Sequence, residues 1–226
     1  MFIRYAIALA LFLAATAQAV AAETEIYFVR HAETMGNITQ SHQKKDDQTL
    51  SPNGIRQVET LTGKLNKLHF DAIVVSPKVR VLKTILPYLK AHKMKAEIWP
   101  ELAECCWQKE GREDSAFDLQ RGESISLDKE MQPWFTFPDS ASHTSYDSRS
   151  YADGMLQTFL AVDRLQKRFA HSGKTVLVVG HYHAGSRLME ILQGIEPNGR
   201  YNLPNTSISH LVEKPDGSFQ LIDKPE

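Results

Sequence analysis

The sequence predicts a three-layer α/β/α sandwich around a mostly parallel central sheet, broken by an irregular cap insert. Three observations lead there. Short apolar, β-branched runs alternate with amphipathic helical stretches, the pattern of βαβ units whose parallel sheet is covered on both faces. Two of those runs, residues 25–30 and 175–180, are followed directly by histidine, His31 and His181; open α/β sheets bind ligands at the carboxyl ends of their strands. From Cys105 to Tyr151 the periodicity fails, and the stretch is polar with scattered aromatics. A loop that long in a compact domain is usually a functional lid or partly disordered.

The elements follow in order. Residues 1–22 read as a secretory signal peptide: Arg4, an apolar run from Tyr5 to Ala15, and small-residue cleavage sites after Ala19 or Ala22. The run is short for a bilayer span. The expectation is therefore cleavage, a periplasmic or secreted product, and no membrane attachment afterwards. Residues 23–226 then form a single domain, with the insert at about 105–151. The first strand is 25–30. Ser51 as N-cap and Pro52 at the first helical position open a helix whose apolar stripe is Ile55, Val58, Leu61, Leu65 and Leu68. Strand 72–75 runs into Ser76-Pro77, a second cap-and-proline start, and a helix bearing Val79, Leu82, Leu86 and Leu89 that Pro87 is expected to kink. A short strand over 96–99 precedes the insert. A helix over 153–170 carries Met155, Phe159, Val162, Leu165 and Phe169, and strand 175–180 leads to a helix over 184–193 stopped by Gly194. Residues 206–212 and 218–222 form a hairpin about Pro215-Asp216-Gly217.

The net charge of −1 argues against nucleic-acid or membrane-surface partners. The only cysteines, Cys105 and Cys106, are adjacent. Disulfide geometry disfavours a bond between neighbours, so both are expected as free, buried small hydrophobes, with pairing between chains as the alternative.

Five places carry candidate chemistry. Arg30 beside His31 puts a fixed fork of donors next to a strand-end imidazole, suited to an anion and a nucleophile. Asn37, on the returning loop, can add a hydrogen bond. Arg80 lies in the first turn of the helix after Ser76-Pro77, where a helix N-terminus already favours phosphate, and Lys78 and Lys83 are left for solvated roles. Glu104, before the insert, is the candidate general acid, with Glu101, Glu110 and Glu113 as rivals. His181 and His183 are either a metal pair or one phosphate-binding imidazole and a bystander. No set of further ligands completes a metal site, so no metal or cofactor is expected.

These residues resemble the signatures of the histidine phosphatase superfamily, the phosphoglycerate-mutase-like branch 1. Arg30-His31-Ala32-Glu33-Thr34 with Asn37 is similar to its Arg-His-Gly-Glu-Thr motif, and Leu50-Ser51-Pro52-Asn53-Gly54-Ile55-Arg56-Gln57 to its Leu-Thr-x-x-Gly-x-x-Gln helix start. Ser76 to Arg80 with Thr84, Leu102-x-Glu104, Val178-Val179-Gly180-His181 and Asn205-Thr206-Ser207-Ile208-Ser209 resemble four more, in family order. The resemblance implies a phosphohistidine on His31, a phosphoryl pocket of Arg30, Arg80 and His181 with Asn37 and His183 at hand, and Glu104 as acid then base. It implies an exported, metal-independent phosphatase acting on a small phosphorylated substrate. The alternatives are an inactive phosphate- or glycan-binding member, a mutase-like phosphotransferase, and a metal hydrolase using His181 and His183. Two departures stand out. Ala32 replaces glycine, which would strain the loop if φ there were positive, and the second-histidine turn reads Gly180-His181-Tyr182-His183-Ala184-Gly185.

Overall fold

A computed structural model describes residues 23–40, 43–107, 121–146 and 148–223. The expected signal peptide, and the rivals Glu110 and Glu113, lie outside the described residues. Five parallel strands form the body of a seven-stranded sheet: β1 (Glu25–Arg30), β2 (Ala72–Val75), β3 (Ala96–Ile98), β4 (Phe135–Thr136) and β5 (Thr175–Gly180). The antiparallel hairpin of β6 (Ile208–Glu213) and β7 (Phe219–Asp223) closes one edge, giving the order β4-β3-β2-β5-β1-β6-β7. The central strands are apolar on both faces because helices cover both. On one side α3 (Pro52–Leu65) and α4 (Val79–His92) pack Leu61, Leu65, Leu82, Ile85 and Leu89 on Val29, Val75 and Val179. On the other, α5 (Tyr151–Phe169) and α6 (His183–Leu192) pack Val162, Leu165, Leu188 and Met189 on Phe28, Val74 and Val178. The expected α/β sandwich is therefore present.

The differences have local causes. Two five-residue helices, α1 (Met35–Thr39) and α2 (Lys44–Gln48), were not expected; they are too short to show a period. The helix expected from Ser76-Pro77 begins at Val79, because Ser76 still extends the sheet, its N–H donating to Val179 O, and its hydroxyl turns into the site. That helix runs unbroken past Pro87, which is exposed to solvent. β6 begins at Ile208 rather than at 206, because Thr206 adopts φ +59° and donates its N–H to Arg30 O. The insert, read as irregular, contributes the edge strand β4.

Both expected apolar stripes are buried through Val58, Leu61 and Leu65 of α3 and Val162, Leu165 and Phe169 of α5, but each has one exposed member. Ile55 is 54 % exposed and Phe159 49 % exposed. The first turns of α5 instead bury Gly154, Gln157 and Thr158, because they press on the segment from Glu101 to Cys106, where only small or hydrogen-bonding side chains fit. Cys105 and Cys106 are buried as expected, but they are bonded to each other, contrary to the expected free thiols. Cys106 accommodates the bridge by taking the left-handed conformation, φ +68°.

Candidate active site

The site lies where three parallel strands end side by side. Arg30 of β1 pairs with Gly180 of β5, and Val75 of β2 pairs with Val179. The next residues, His31, His181 and Ser76, therefore emerge together. The chain leaves β1 toward one face of the sheet and β5 toward the other, so a crevice opens between those strands at the switch in direction.

His31 is 3 % exposed and His181 is fully buried, with ring centroids 5.3 Å apart in an edge-to-face arrangement. Burial, then the nearby charges of Arg80 and Arg30, hold His31 well below the ordinary imidazole pKa. Burial and Arg80, with His31, Lys78 and Arg30, do the same to His181. Both rings are thus neutral at physiological pH. The tautomer of His31 follows from its partner. Its Nδ1 lies 2.8 Å from Ala32 O, a carbonyl that can only accept, so Nδ1 carries the proton and Nε2 the lone pair. His181 Nε2 lies 2.7 Å from Ser76 Oγ, which also accepts the Lys78 N–H. With the serine hydroxyl donating to Nε2, the His181 proton stands on Nδ1.

Cations surround these rings. Arg30 donates from Nη1 to Leu203 O at 2.6 Å and lies over the Tyr182 ring, 5.0 Å from its centroid. Arg80, in the first turn of α4, lies 3.6 Å from Asp47 of α2. Arg30 Nε, Arg80 Nη1 and His181 Nδ1 are buried with no hydrogen-bond partner among the described residues. Buried donors are nearly always satisfied, so three of them around one pair of histidines mark a place for an anion with several acceptor oxygens. Lys78, expected to be solvated, is only 4 % exposed, and Lys83 donates to Gln48 O.

The loop that carries His31 is held by hydrogen bonds from surrounding side chains. Thr84 Oγ1 accepts the Ala32 N–H at 2.9 Å and donates to Arg80 O, coupling the two candidate phosphate-binding segments. Gln57 accepts the Glu33 N–H, and Ser51 donates to the Glu33 carboxylate. Asn205 donates to His31 O at 2.9 Å. Asn37 is placed as the third residue of a capping box on α1; its Oδ1 accepts from Thr34 N–H and from Asn205 Nδ2. Ala32 is not among the described residues with positive φ, so its methyl group brings no backbone strain.

Glu104 sits against the first turn of α6. Its carboxylate accepts from the backbone N–H groups of Ala184 (2.9 Å), Tyr182 (3.2 Å), His183 (3.5 Å) and Cys105 (3.2 Å), and its charge acts on Arg30. The helix N-terminus thus orients it. Glu101, its rival, is engaged elsewhere, pairing with Arg164. His183 is half-buried and its ring packs edge-on against Tyr182, 5.0 Å away. Among the described residues no group of three or more His, Cys, Asp or Glu could hold a metal ion. Sequence reading missed Asp47, the burial of Lys78 and the partnership of Ser76 with His181; only Ser76 carried a signal, as the first residue of Ser76-Pro77, read there as a helix cap.

No curated protein matches this sequence significantly. Several solved structures share the fold. An α-ribazole phosphatase from Shigella flexneri has TM-score 0.61 and 17 % identity, covering 89 % of this chain and 96 % of that one. A phosphoserine phosphatase variant from Entamoeba histolytica, in complex with phosphoserine, has TM-score 0.58 and 19 % identity, with coverage of 88 % and 95 %. A phosphoglycerate mutase from Bacillus anthracis has TM-score 0.60 and 19 % identity, with coverage of 89 % and 92 %. At these identities the likeness is one of fold. A family model, by contrast, matches residues 26–222, nearly the whole described chain. On that match the chain belongs to the histidine phosphatase superfamily, branch 1.

Proposed function

We propose that this chain hydrolyses a small phosphate monoester through a phosphohistidine on His31. The observation that carries the reading is the neutral His31 ring, its proton fixed on Nδ1 by Ala32 O, beside three buried nitrogens that have no hydrogen-bond partner among the described residues. Nε2 attacks phosphorus with its lone pair, and the ester P–O bond breaks. Arg30, Arg80 and His181 Nδ1 donate to the phosphoryl oxygens as their charge rearranges. Glu104 gives its proton to the leaving oxygen. As a carboxylate it then takes a proton from water, whose oxygen attacks phosphorus; the P–N bond breaks, and inorganic phosphate and the starting imidazole result. These steps need no cofactor. We place the reaction outside the cytoplasm after removal of residues 1–22, on the strength of the leader-like sequence.

The test is turnover of p-nitrophenyl phosphate by the chain from Glu23 onward, with and without EDTA, beside His31→Ala. The expected result is chelator-resistant release of one phosphate per alcohol, lost in His31→Ala. Full activity of His31→Ala overturns the mechanism. Phosphate passed to a second hydroxyl rather than to water would make the protein a transferase, and chelator-sensitive turnover would favour the metal hydrolase. The mass of the exported protein reads the cleavage site directly.

A further inference from the structure

Glu104 is followed at once by the Cys105–Cys106 disulfide, and the bridge lies in a place no part of the phosphoryl pocket explains. Both sulfurs are buried between the first turns of α5 and α6, packed with Ala184, Trp107, Tyr151 and Met155. Cys105 Sγ lies 3.3 Å and Cys106 Sγ 3.7 Å from Thr158 Oγ1 of α5. The fit depends on Gly154: a Cβ there would stand 3.0 Å from Cys105 Cβ and from Cys106 Sγ. Just upstream of Glu104, the fully buried Gln157, one turn along α5, donates to both Glu101 O and Ala103 O. Glu104 is therefore held on both sides by the same helix, through Gln157 before it and through the disulfide after it. The Cys105 N–H is itself one of the donors to the Glu104 carboxylate.

We propose that the Cys105–Cys106 disulfide is a positioning device for Glu104, locking the turn that presents its carboxylate at the head of α6. This rests on the reading of Glu104 as the acid that protonates the leaving oxygen. The bond closes a small ring around one peptide unit, fixing backbone torsions that two free thiols would leave to rotate. It also holds Cys106 at φ +68°, a conformation that residues with a Cβ rarely adopt unaided. Without the bridge, the segment after Glu104 relaxes from this conformation, and the carboxylate loses its fixed line to the leaving group. The cost then falls on substrates that need protonation.

The experiment starts from the protein purified in air, denatured and treated with iodoacetamide without reductant. No added carbamidomethyl group on a monomer is expected; two alkylated thiols, or a covalent dimer, overturn the proposal. Next, kcat/KM is measured on an alkyl phosphate, whose leaving group needs a proton, and on p-nitrophenyl phosphate, whose leaving group does not. The variants are Cys105→Ala/Cys106→Ala, Cys106→Gly and Glu104→Gln. Cys106→Gly accepts the positive φ without a Cβ and guards against a mere folding defect. General acid catalysis contributes typically 10²–10⁴-fold, so partial misplacement of the acid is expected to lower the alkyl:aryl ratio about tenfold in both cysteine variants, with aryl turnover nearly retained. If Glu104→Gln collapses the ratio and the cysteine variants leave it unchanged, or lower both substrates equally, the clamp is wrong and the acid assignment stands. If Glu104→Gln leaves the ratio unchanged, Glu104 is not the acid and the clamp falls with it.

Discussion

Helix α3 contains two glycines on which the same substitution should have opposite effects. In the interior of a helix, alanine is favoured over glycine by roughly 0.8–1 kcal/mol. At Gly63, which is exposed, an added Cβ meets nothing within 4 Å, so Gly63→Ala should gain that amount. At Gly54 the same Cβ would be driven into the Glu33 carbonyl oxygen and stand 3.0 Å from its carbon. Those atoms are backbone and cannot rotate away. Overpacking of this kind costs about 1–3 kcal/mol, and the struck peptide has little room, so the upper end applies and exceeds the helical gain. Glu33 is also two residues from His31, and its N–H is already held by Gln57. Relief of the clash moves the loop that aims His31, the proposed nucleophile, and a displacement of about 1 Å can lower turnover 10²-fold. For a domain of this size 1 kcal/mol shifts Tm by roughly 2–4 °C. Thermal unfolding should therefore show Gly63→Ala about 2–4 °C above wild type with full activity. Gly54→Ala, at a net cost of about 2 kcal/mol, should fall about 4–8 °C below it, with kcat reduced tenfold or more. A Gly54→Ala protein that is stabilised like Gly63→Ala and fully active would refute the account of why this helix starts against the histidine loop.

Three further outcomes are expected. Ser76→Ala removes the 2.7 Å partner of His181 Nε2 and the acceptor of Lys78 N–H, leaving a buried nitrogen unpaired; kcat/KM should drop about tenfold and stability by about 1–3 kcal/mol, and wild-type kinetics would separate His181 from the reaction. Acid should destabilise the fold: His31 and His181 stay neutral in the native state while their unfolded forms gain protons as pH falls below about 6.5, so each removes up to about 1.4 kcal/mol per pH unit until its depressed native pKa is reached. Urea midpoints between pH 7.5 and 5 should fall less steeply in His181→Gln than in wild type, and equal slopes would contradict the assigned neutrality. Glu190, fully buried on α6, accepts from the N–H groups of Gly199 and Arg200 and from Arg200 Nε; Glu190→Ala should cost about 3 kcal/mol in unfolding free energy while leaving kcat nearly unchanged, and a large kcat loss would show that this loop reaches the site.

What could be read from the sequence depended on how far a signal extends along the chain. β1, β2 and β5 were legible because runs such as Ile73-Val74-Val75 and Val176-Leu177-Val178-Val179 are buried on both faces and bounded by polar residues. His31 and His181 were legible as the residues just past those runs. The short helices α1 and α2 gave no period to read, and so Asp47, which α2 brings to Arg80, stayed invisible. Lys78 was misjudged because a lysine after a turn is ordinarily solvated; its burial follows from Ser76 continuing the strand and delaying the helix by two residues. Phe159 misled because the first turns of α5 turn small residues inward where the disulfide demands Gly154, while the rest of the stripe, Val162, Leu165 and Phe169, is buried as its spacing predicts. The bridge itself was rejected on average geometry, which the left-handed Cys106 escapes.

The same comparison explains why the family's motifs are longer than its chemistry requires. Of the residues in the first three motifs, Arg30, His31 and Arg80 gather at the proposed phosphoryl pocket, with Lys78 buried nearby. Ser51, Gly54 and Gln57 meet Glu33; Thr84 joins Ala32 to Arg80; Asn205, far along the chain, meets His31 O. Each fixes backbone beside a residue proposed to react. A buried, neutral imidazole is a useful nucleophile only if its ring cannot turn, and a ring hydrogen-bonded to its neighbour's carbonyl is as well placed as that peptide. Ala32 fits this frame because the frame, not a glycine's freedom, sets the loop: the Ala32 N–H is taken by Thr84, and the peptides on either side are held by Asn205 and Gln57. The placement of the His31 ring at this sheet edge therefore depends on the supports of its loop as much as on His31 itself.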